Sequence, residues 1–178
     1  MLILIGPSAS GKTEVVKKLI SDYNMKKFVT YTSRPMRPGE IKDKDYHFLT
    51  KEEFVKKINE SFFLEYVEYN GNYYGTSYEG MDTDKVVILE PSGLKHYIKH
   101  ARENIKICYI TCDKEIREKR MIKRGDSLYN IKKRLISDEV IFNDELYDLA
   151  DWVIHDTDYT LEELTQKVYD LYKEYISE

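Results

Sequence analysis

Eight consecutive residues near the start of the chain, Gly6-Pro7-Ser8-Ala9-Ser10-Gly11-Lys12-Thr13, fill every fixed position of the pattern G-x-x-x-x-G-K-S/T. A loop that wraps a polyphosphate must turn backbone N–H groups inward, and glycine permits the backbone angles and close approach that a Cβ forbids. A helix beginning at Lys12 would aim its positive end at the same anion. Within such a loop Lys12 is placed to reach the β- and γ-phosphates, and the Thr13 hydroxyl to ligate Mg²⁺. The chemistry implied is binding of a nucleoside triphosphate, with Mg²⁺ as its metal. An ordinary strand-to-helix turn would not require Lys-Thr at the helix start.

A phosphate loop leaves hydrolysis, transfer and sensing open, so the remaining polar residues must supply the distinction. Arg34 and Arg37 flank Pro35 in Thr32-Ser33-Arg34-Pro35-Met36-Arg37-Pro38-Gly39-Glu40. Prolines stiffen such a segment, and two guanidinium forks held in place suit a second phosphate. Tyr46 and Tyr74 could add phenolic donors, although tyrosines in β-prone segments commonly serve packing. From Lys114 to Arg134 basic residues far outnumber acidic ones, which by itself describes a solvated helical face as well as an anion-binding one.

The elements that must position these residues alternate. Leu2 to Ile5 reads as a buried parallel strand, and Lys12 to Tyr23 as a helix with Val15, Val16, Leu19 and Ile20 on one side. Ser33 to Asp45 reads as an ordered loop. Thr50 with Glu53 is a capping box opening a helix to about Glu60. Phe62–Tyr69 and Asn72–Thr76 are β-prone runs on either side of Asn70-Gly71, a hairpin signal. Val86–Leu89 and Ile107–Ile110 restore the β-α-β rhythm. Asp113–Arg124 and Ile131–Asn143 read as helices broken at Gly125, Trp152–Ile154 as a last strand, and Thr160 with Glu163 as a capping box for a C-terminal helix whose apolar stripe faces the core. The pattern predicts a three-layer α/β core with a parallel sheet, one small antiparallel insertion and one helical, Arg-rich insertion.

The chain has 178 residues, 42% hydrophobic and 34% charged, which suits one globular domain. Its formal net charge of −4 argues against general nucleic-acid binding. The apolar start is too short to span a bilayer and has no basic segment before it, so no membrane association is expected and the cytoplasm is the expected compartment. Cys108 and Cys112 have no second ligand pair nearby, so both read as buried thiols rather than a zinc site. A monomer and a homodimer are equally compatible with the sequence.

The run Thr32 to Phe48 resembles the guanylate kinase pattern T-x-R-x-x-R-x-G-E…D-Y-x-F. Phe63-Leu64-Glu65-Tyr66 with Gly71 to Thr76 is similar to that family's F-x-E-W…G-N-Y-Y-G-S/T, and Arg120…Arg124-Gly125…Arg134-Leu135 to its lid, R-x-x-x-R-G…R-L. The resemblance covers nearly the whole chain. It implies a P-loop kinase fold, with the core at 1–30, 82–112 and 140–178, a GMP-binding insertion at 31–81 and a lid at 113–139. It also implies transfer of the γ-phosphoryl of MgATP to GMP or dGMP. By position, Arg34, Arg37, Tyr46 and Tyr74 would grip the GMP phosphate, and Thr30, Glu65, Thr76 and Glu90 would line the nucleotide site. Arg124 and Arg134, with Arg120 as a third candidate, would offset transition-state charge, so that Lys12, Arg34, Arg124 and Arg134 carry the catalysis. For Glu65 the chemistry is coherent: a carboxylate only accepts, and guanine presents N1–H and N2–H₂ donors on one edge.

Two segments depart from the family. Where it has D-x-D-x-Q-G, this chain reads Ile88-Leu89-Glu90-Pro91-Ser92-Gly93, so one acid is missing and Glu90 stands at the second. The Asn of the family's V-N-D-D segment is replaced near His155-Asp156. These changes leave two alternatives open: a same-fold kinase acting on another phosphorylated acceptor such as ribose 1,5-bisphosphate, and a non-catalytic binding module of the kind found in junctional scaffold proteins.

Overall fold

The structure, a computed structural model, describes residues 1–69 and 71–177. Its centre is a parallel five-stranded sheet built from β1 (Leu2–Ile5), β2 (Lys26–Lys27), β7 (Lys85–Ile88), β8 (Lys106–Thr111) and β9 (Trp152–His155), in the order β2-β7-β1-β8-β9. The apolar run at β1 does not alternate because both faces are covered. Leu2 and Leu4 pack with Val15 and Leu19 of α1 (Lys12–Asp22) and with Leu164, Val168 and Tyr172 of α7 (Leu161–Ser177). Met1, Ile3 and Ile5 point the other way, onto Leu94 and Tyr97 of α3 (Pro91–Ala101) and Leu146 of α6 (Asp144–Leu149). All five residues of this run are at most 1% exposed.

A second sheet of four strands, ordered β4-β3-β6-β5, holds β3 (Tyr31–Thr32), β4 (His47–Phe48), β5 (Phe63–Tyr69) and β6 (Asn72–Ser77). Only the β3–β4 pair is parallel. Phe54 of α2 (Lys51–Asn59) is fully buried beneath it, stacked on Phe63 at 4.3 Å and on Tyr73 at 5.4 Å between ring centroids. The third unit is the pair α4 (Lys114–Arg124) and α5 (Leu128–Ile141), whose Met121, Ile131 and Leu135 form their own small core against Ala9.

Both capping boxes form: Thr50 with Glu53, and Thr160 with Glu163. Gly125 ends α4 at φ 88°, donating to the Ile122 and Met121 carbonyls. Helix α5 starts three residues before Ile131, because the Ser127 hydroxyl accepts the Asn130 N–H and caps it. The six-residue α6 and the two-residue strands β2, β3 and β4 carry too little periodicity for sequence reading. Of the hairpin turn, Asn70 lies outside the described residues; Gly71 adopts φ 70°. Among the described residues no helix is long and apolar enough to cross a membrane.

Candidate active site

The phosphate loop leaves the C-terminal end of β1 at the centre of the sheet, beside the end of β7. There the chain order reverses, and in open α/β sheets that crevice is where ligands bind. Three loop residues have positive φ: Gly6 at 146°, Ala9 at 61° and Gly11 at 94°. At Gly6 glycine is obligatory, since a Cβ would lie 2.1 Å from the Ile110 carbonyl oxygen of β8. Lys12 folds over the loop, its Nζ donating to the carbonyls of Gly6 at 2.6 Å and Pro7 at 2.7 Å and to Ser10 Oγ at 3.2 Å. Burial pulls its ammonium from 10.5 to about 8, against a smaller upward pull from the Glu90 carboxylate. Thr13, the second residue of α1, is exposed.

A cavity of about 360 Å³ extends from the loop, lined by residues 9–14 with Arg120, Arg124, Asp156, Tyr159 and Leu161. Asp156 is 5% exposed. It pairs with Arg120 and packs against Gly11, where a Cβ would stand 3.5 Å from a carboxylate oxygen. Arg120 also donates to the Ala9 carbonyl at 3.2 Å, so it ties α4 to the loop while forming part of the cavity wall. Arg124 lines the cavity while pairing with Asp126. Arg134 is exposed on α5 and does not line this cavity.

The other expected residues gather on the small sheet. Arg34 makes a bidentate pair with Glu40, at 2.6 and 3.1 Å, and lies over the Tyr46 and Phe48 rings at 5.6 and 5.8 Å. Glu40 also accepts the Arg37 N–H at 2.7 Å, so one carboxylate sets the loop on which both arginines sit; these bonds hold Glu40 below its ordinary value, Arg34 contributing most. The Arg37 side chain is exposed. Tyr46 and Tyr74 meet edge to face at 6.4 Å. Thr30 and Tyr46 share a hollow of about 220 Å³ with Val16 of α1 and Ile88 of β7.

Glu65 and Thr76 are direct cross-strand partners because the β5–β6 register shifts between Phe63 and Glu65. A bulge of this kind re-aims a side chain, and here it leaves Thr76 Oγ1 donating to Glu65 Oε1 at 3.5 Å. Helix α3 closes this site. A Cβ on Gly93 would lie 3.5 Å from Glu65 Oε1. Glu90, the N-cap residue of α3, makes no side-chain cap and is exposed. One turn below Gly93 the Tyr97 side chain is fully buried; its hydroxyl has no hydrogen-bond partner among the described residues. Burial above all raises its ionisation far beyond the ordinary phenol value, with Thr76 and Glu65 as the polar neighbours.

Sequence reasoning missed Tyr97, Arg117, Asp138 and Asp156. Tyr97 and Asp138 sit in helices whose periodicity marks only core positions, and Arg117 is lost within a basic run. Asp156 stands in a segment that departs from the family pattern, which hides its role in one dimension.

The chain matches the family model described as Guanylate kinase over residues 1–175. It belongs to the guanylate kinase family. Among curated relatives, the guanylate kinase of Helicobacter hepaticus is 34% identical over 166 residues, covering 82% of this chain and 83% of that protein. The guanylate kinase of Onion yellows phytoplasma is 35% identical, covering 86% and 82%. That of Clostridium tetani is 40% identical over 131 residues, which span 70% of this chain and 63% of that relative's length. The solved guanylate kinase of Anaplasma phagocytophilum superimposes over 97% of this chain and 84% of its own, with TM-score 0.66 at 22% identity, a likeness of fold. The membership and the three-layer α/β fold expected from the motifs therefore hold, and the guanylate kinase family is one of nucleoside monophosphate kinases.

Proposed function

We propose that this chain transfers the γ-phosphoryl group of MgATP to GMP or dGMP, producing ADP and GDP, with the donor held by Gly6–Thr13 and the acceptor on the small sheet. One observation carries the reading: the end of β7 and the start of α3 join the two sites. The Leu89 N–H donates to the Leu4 carbonyl at 3.2 Å, two residues before Gly6, and Gly93, in the first turn of α3, lies against Glu65. A helical turn advances only about 5 Å, so a phosphate cradle and an acceptor-only carboxylate stand within one nucleotide's reach.

Lys12 and the loop amides would bind the donor's β- and γ-phosphates. Thr13 contributes a hydroxyl oxygen, a hard ligand of the type Mg²⁺ takes. Mg²⁺ usually borrows further ligands from phosphate and water, and it would neutralise charge on the triphosphate. Arg34, Arg37, Tyr46 and Tyr74 would hold the acceptor phosphate, Arg34 exchanging its bond to Glu40 for one to the nucleotide. Glu65 would accept guanine N1–H and N2–H₂, with Thr76 donating to O6, and Thr30 and Glu90 would complete the wall. An ionised acceptor oxygen attacks the γ-phosphorus, the bond to the bridging oxygen breaks and ADP leaves, so no general base is needed. Segment 113–139 would act as a lid over the core at 1–30, 82–112 and 140–178, with segment 31–81 as the acceptor-binding insertion. Arg124 and Arg134 would close on the transferring group and exclude water. The cytoplasm, where both nucleotides are supplied, is the compartment this reading implies.

The test is ADP release with MgATP against GMP, dGMP, AMP, UMP and ribose 1,5-bisphosphate, for wild type, Lys12→Ala and Arg34→Ala. Turnover with GMP and dGMP is expected, with most of the rate lost in both variants while each stays folded. Turnover confined to ribose 1,5-bisphosphate, or none with any acceptor, would reject the assignment.

A further inference from the structure

Away from the residues given roles above, the described residues hold one buried ion pair, between Arg117 of α4 and Asp138 of α5, with side chains 6% and 9% exposed. Asp138 spends both carboxylate oxygens on the phosphate loop. Oδ2 accepts the Ser8 N–H at 2.9 Å and Oδ1 accepts the Ser8 hydroxyl at 3.3 Å. Arg117 Nη1 donates to the same Oδ2 at 2.8 Å and approaches the Ser8 carbonyl at 3.5 Å, while its Nε donates to the Cys112 carbonyl at 3.2 Å, just past β8. Four segments thus meet around Ser8.

A pair of this kind gives little stability by itself, since apolar side chains of similar size would join α4 to α5 at least as well. What an apolar pair cannot do is accept the two donors of Ser8. Those donors belong to a loop with three left-handed residues in six positions, and such a backbone persists only where its surroundings over-determine it. The α4–α5 hairpin supplies that constraint at adjacent points. Asp138 fixes Ser8, and Met121, Ile131 and Leu135 pack on Ala9 while Arg120 holds its carbonyl.

We infer that Asp138 is a positioning residue for the phosphate loop: it holds Ser8 so that the loop's remaining N–H groups are set for the triphosphate before it arrives, and Arg117 keeps its carboxylate paired and aimed. The inference rests on reading Gly6–Thr13 as the donor site. It makes donor affinity depend on a residue of the α4–α5 hairpin that touches no nucleotide.

The test compares two double variants that leave no buried charge unpaired and keep the net charge of the wild type. Arg117→Leu/Asp138→Ala removes the acceptor of Ser8, whereas Arg117→Leu/Asp138→Asn keeps one carbonyl oxygen for its N–H. For each, the Kd of a non-hydrolysable MgATP analogue and of GMP is measured by calorimetry, together with KM for both substrates and the melting temperature. The Ala form should lose about tenfold in analogue affinity and rise similarly in KM for MgATP, with GMP binding unchanged, and the Asn form should recover most of the loss. Wild-type analogue affinity in the Ala form, or equal losses for both ligands, would overturn the inference. Should the double variants fail to fold, Ser8→Ala, which deletes only the Oγ–Oδ1 bond, should weaken the analogue about threefold, and no change there is equally fatal. Failure of the wild type to bind the analogue at all would instead reject the donor-site reading.

Discussion

The protonation of Lys12 offers a direct probe of the donor site. Burial holds its ammonium near 8 instead of 10.5, so the free loop sheds the charge of Lys12 over an accessible pH range. A triphosphate restores opposite charge beside it and favours the protonated form, so donor binding should draw a proton from solution. With a folded value of about 8, roughly one loop in thirty is still protonated at about pH 9.5. Affinity for MgATP analogue should then fall roughly thirtyfold from neutral pH, at a limiting slope of about tenfold per unit. The unliganded protein should move the opposite way. Between about 8 and 9.0 the unfolded chain keeps a lysine proton that the folded chain has shed, so stability rises with pH. Above 9.0 the thiols of Cys108 and Cys112, raised by burial to about 12 and about 11, begin to reverse that trend. The assay is calorimetric titration from about pH 7 to 9.5 in buffers of differing ionisation enthalpy, with melting curves for wild type and Lys12→Met. Constant affinity to pH 9.5 without proton uptake would refute the placement of Lys12 over the loop.

Two further outcomes follow from particular contacts. Glu65→Gln should lower kcat/KM for GMP about 10- to 100-fold while leaving the much lower rate with AMP no worse, because the introduced amide N–H₂ opposes guanine's donors; an unchanged GMP/AMP ratio in the coupled assay would remove Glu65 from base recognition. Gly6→Ala should destabilise the fold by about 3 kcal/mol or more in urea unfolding, given a Cβ 2.1 Å from the Ile110 carbonyl, whereas Gly39→Ala, with φ 88° and nothing within 4 Å of its Cβ, should lose only about 1 kcal/mol; equal losses would mean that left-handed strain, not the close approach, decides.

Much of this was legible in one dimension. The phosphate loop, the two capping boxes and the break at Gly125 depend on residues within a few positions of one another, and local chemistry fixes them. The runs at β1 and β8 announce a parallel sheet because burial on both faces removes alternation. Grouping Arg34, Tyr46, Glu65 and Tyr74 needed several motifs in a familiar order, since none of these residue types is decisive alone.

Tertiary structure decided the rest. The bulge beyond Phe63 makes Glu65 and Thr76 partners, and no alternation of residue types signals a one-residue shift in register. Glu40 engages Arg34, and Arg120 turns onto Asp156 and Ala9, partners that the basic character of their segments does not announce. Asp138 reaches Ser8 across 130 positions. The sequence therefore determined which groups were present and how the backbone would behave within each turn. Which carboxylate faces which cation depends on chain segments meeting in space, and there burial sets both the strength of the interaction and the cost of leaving it unmade.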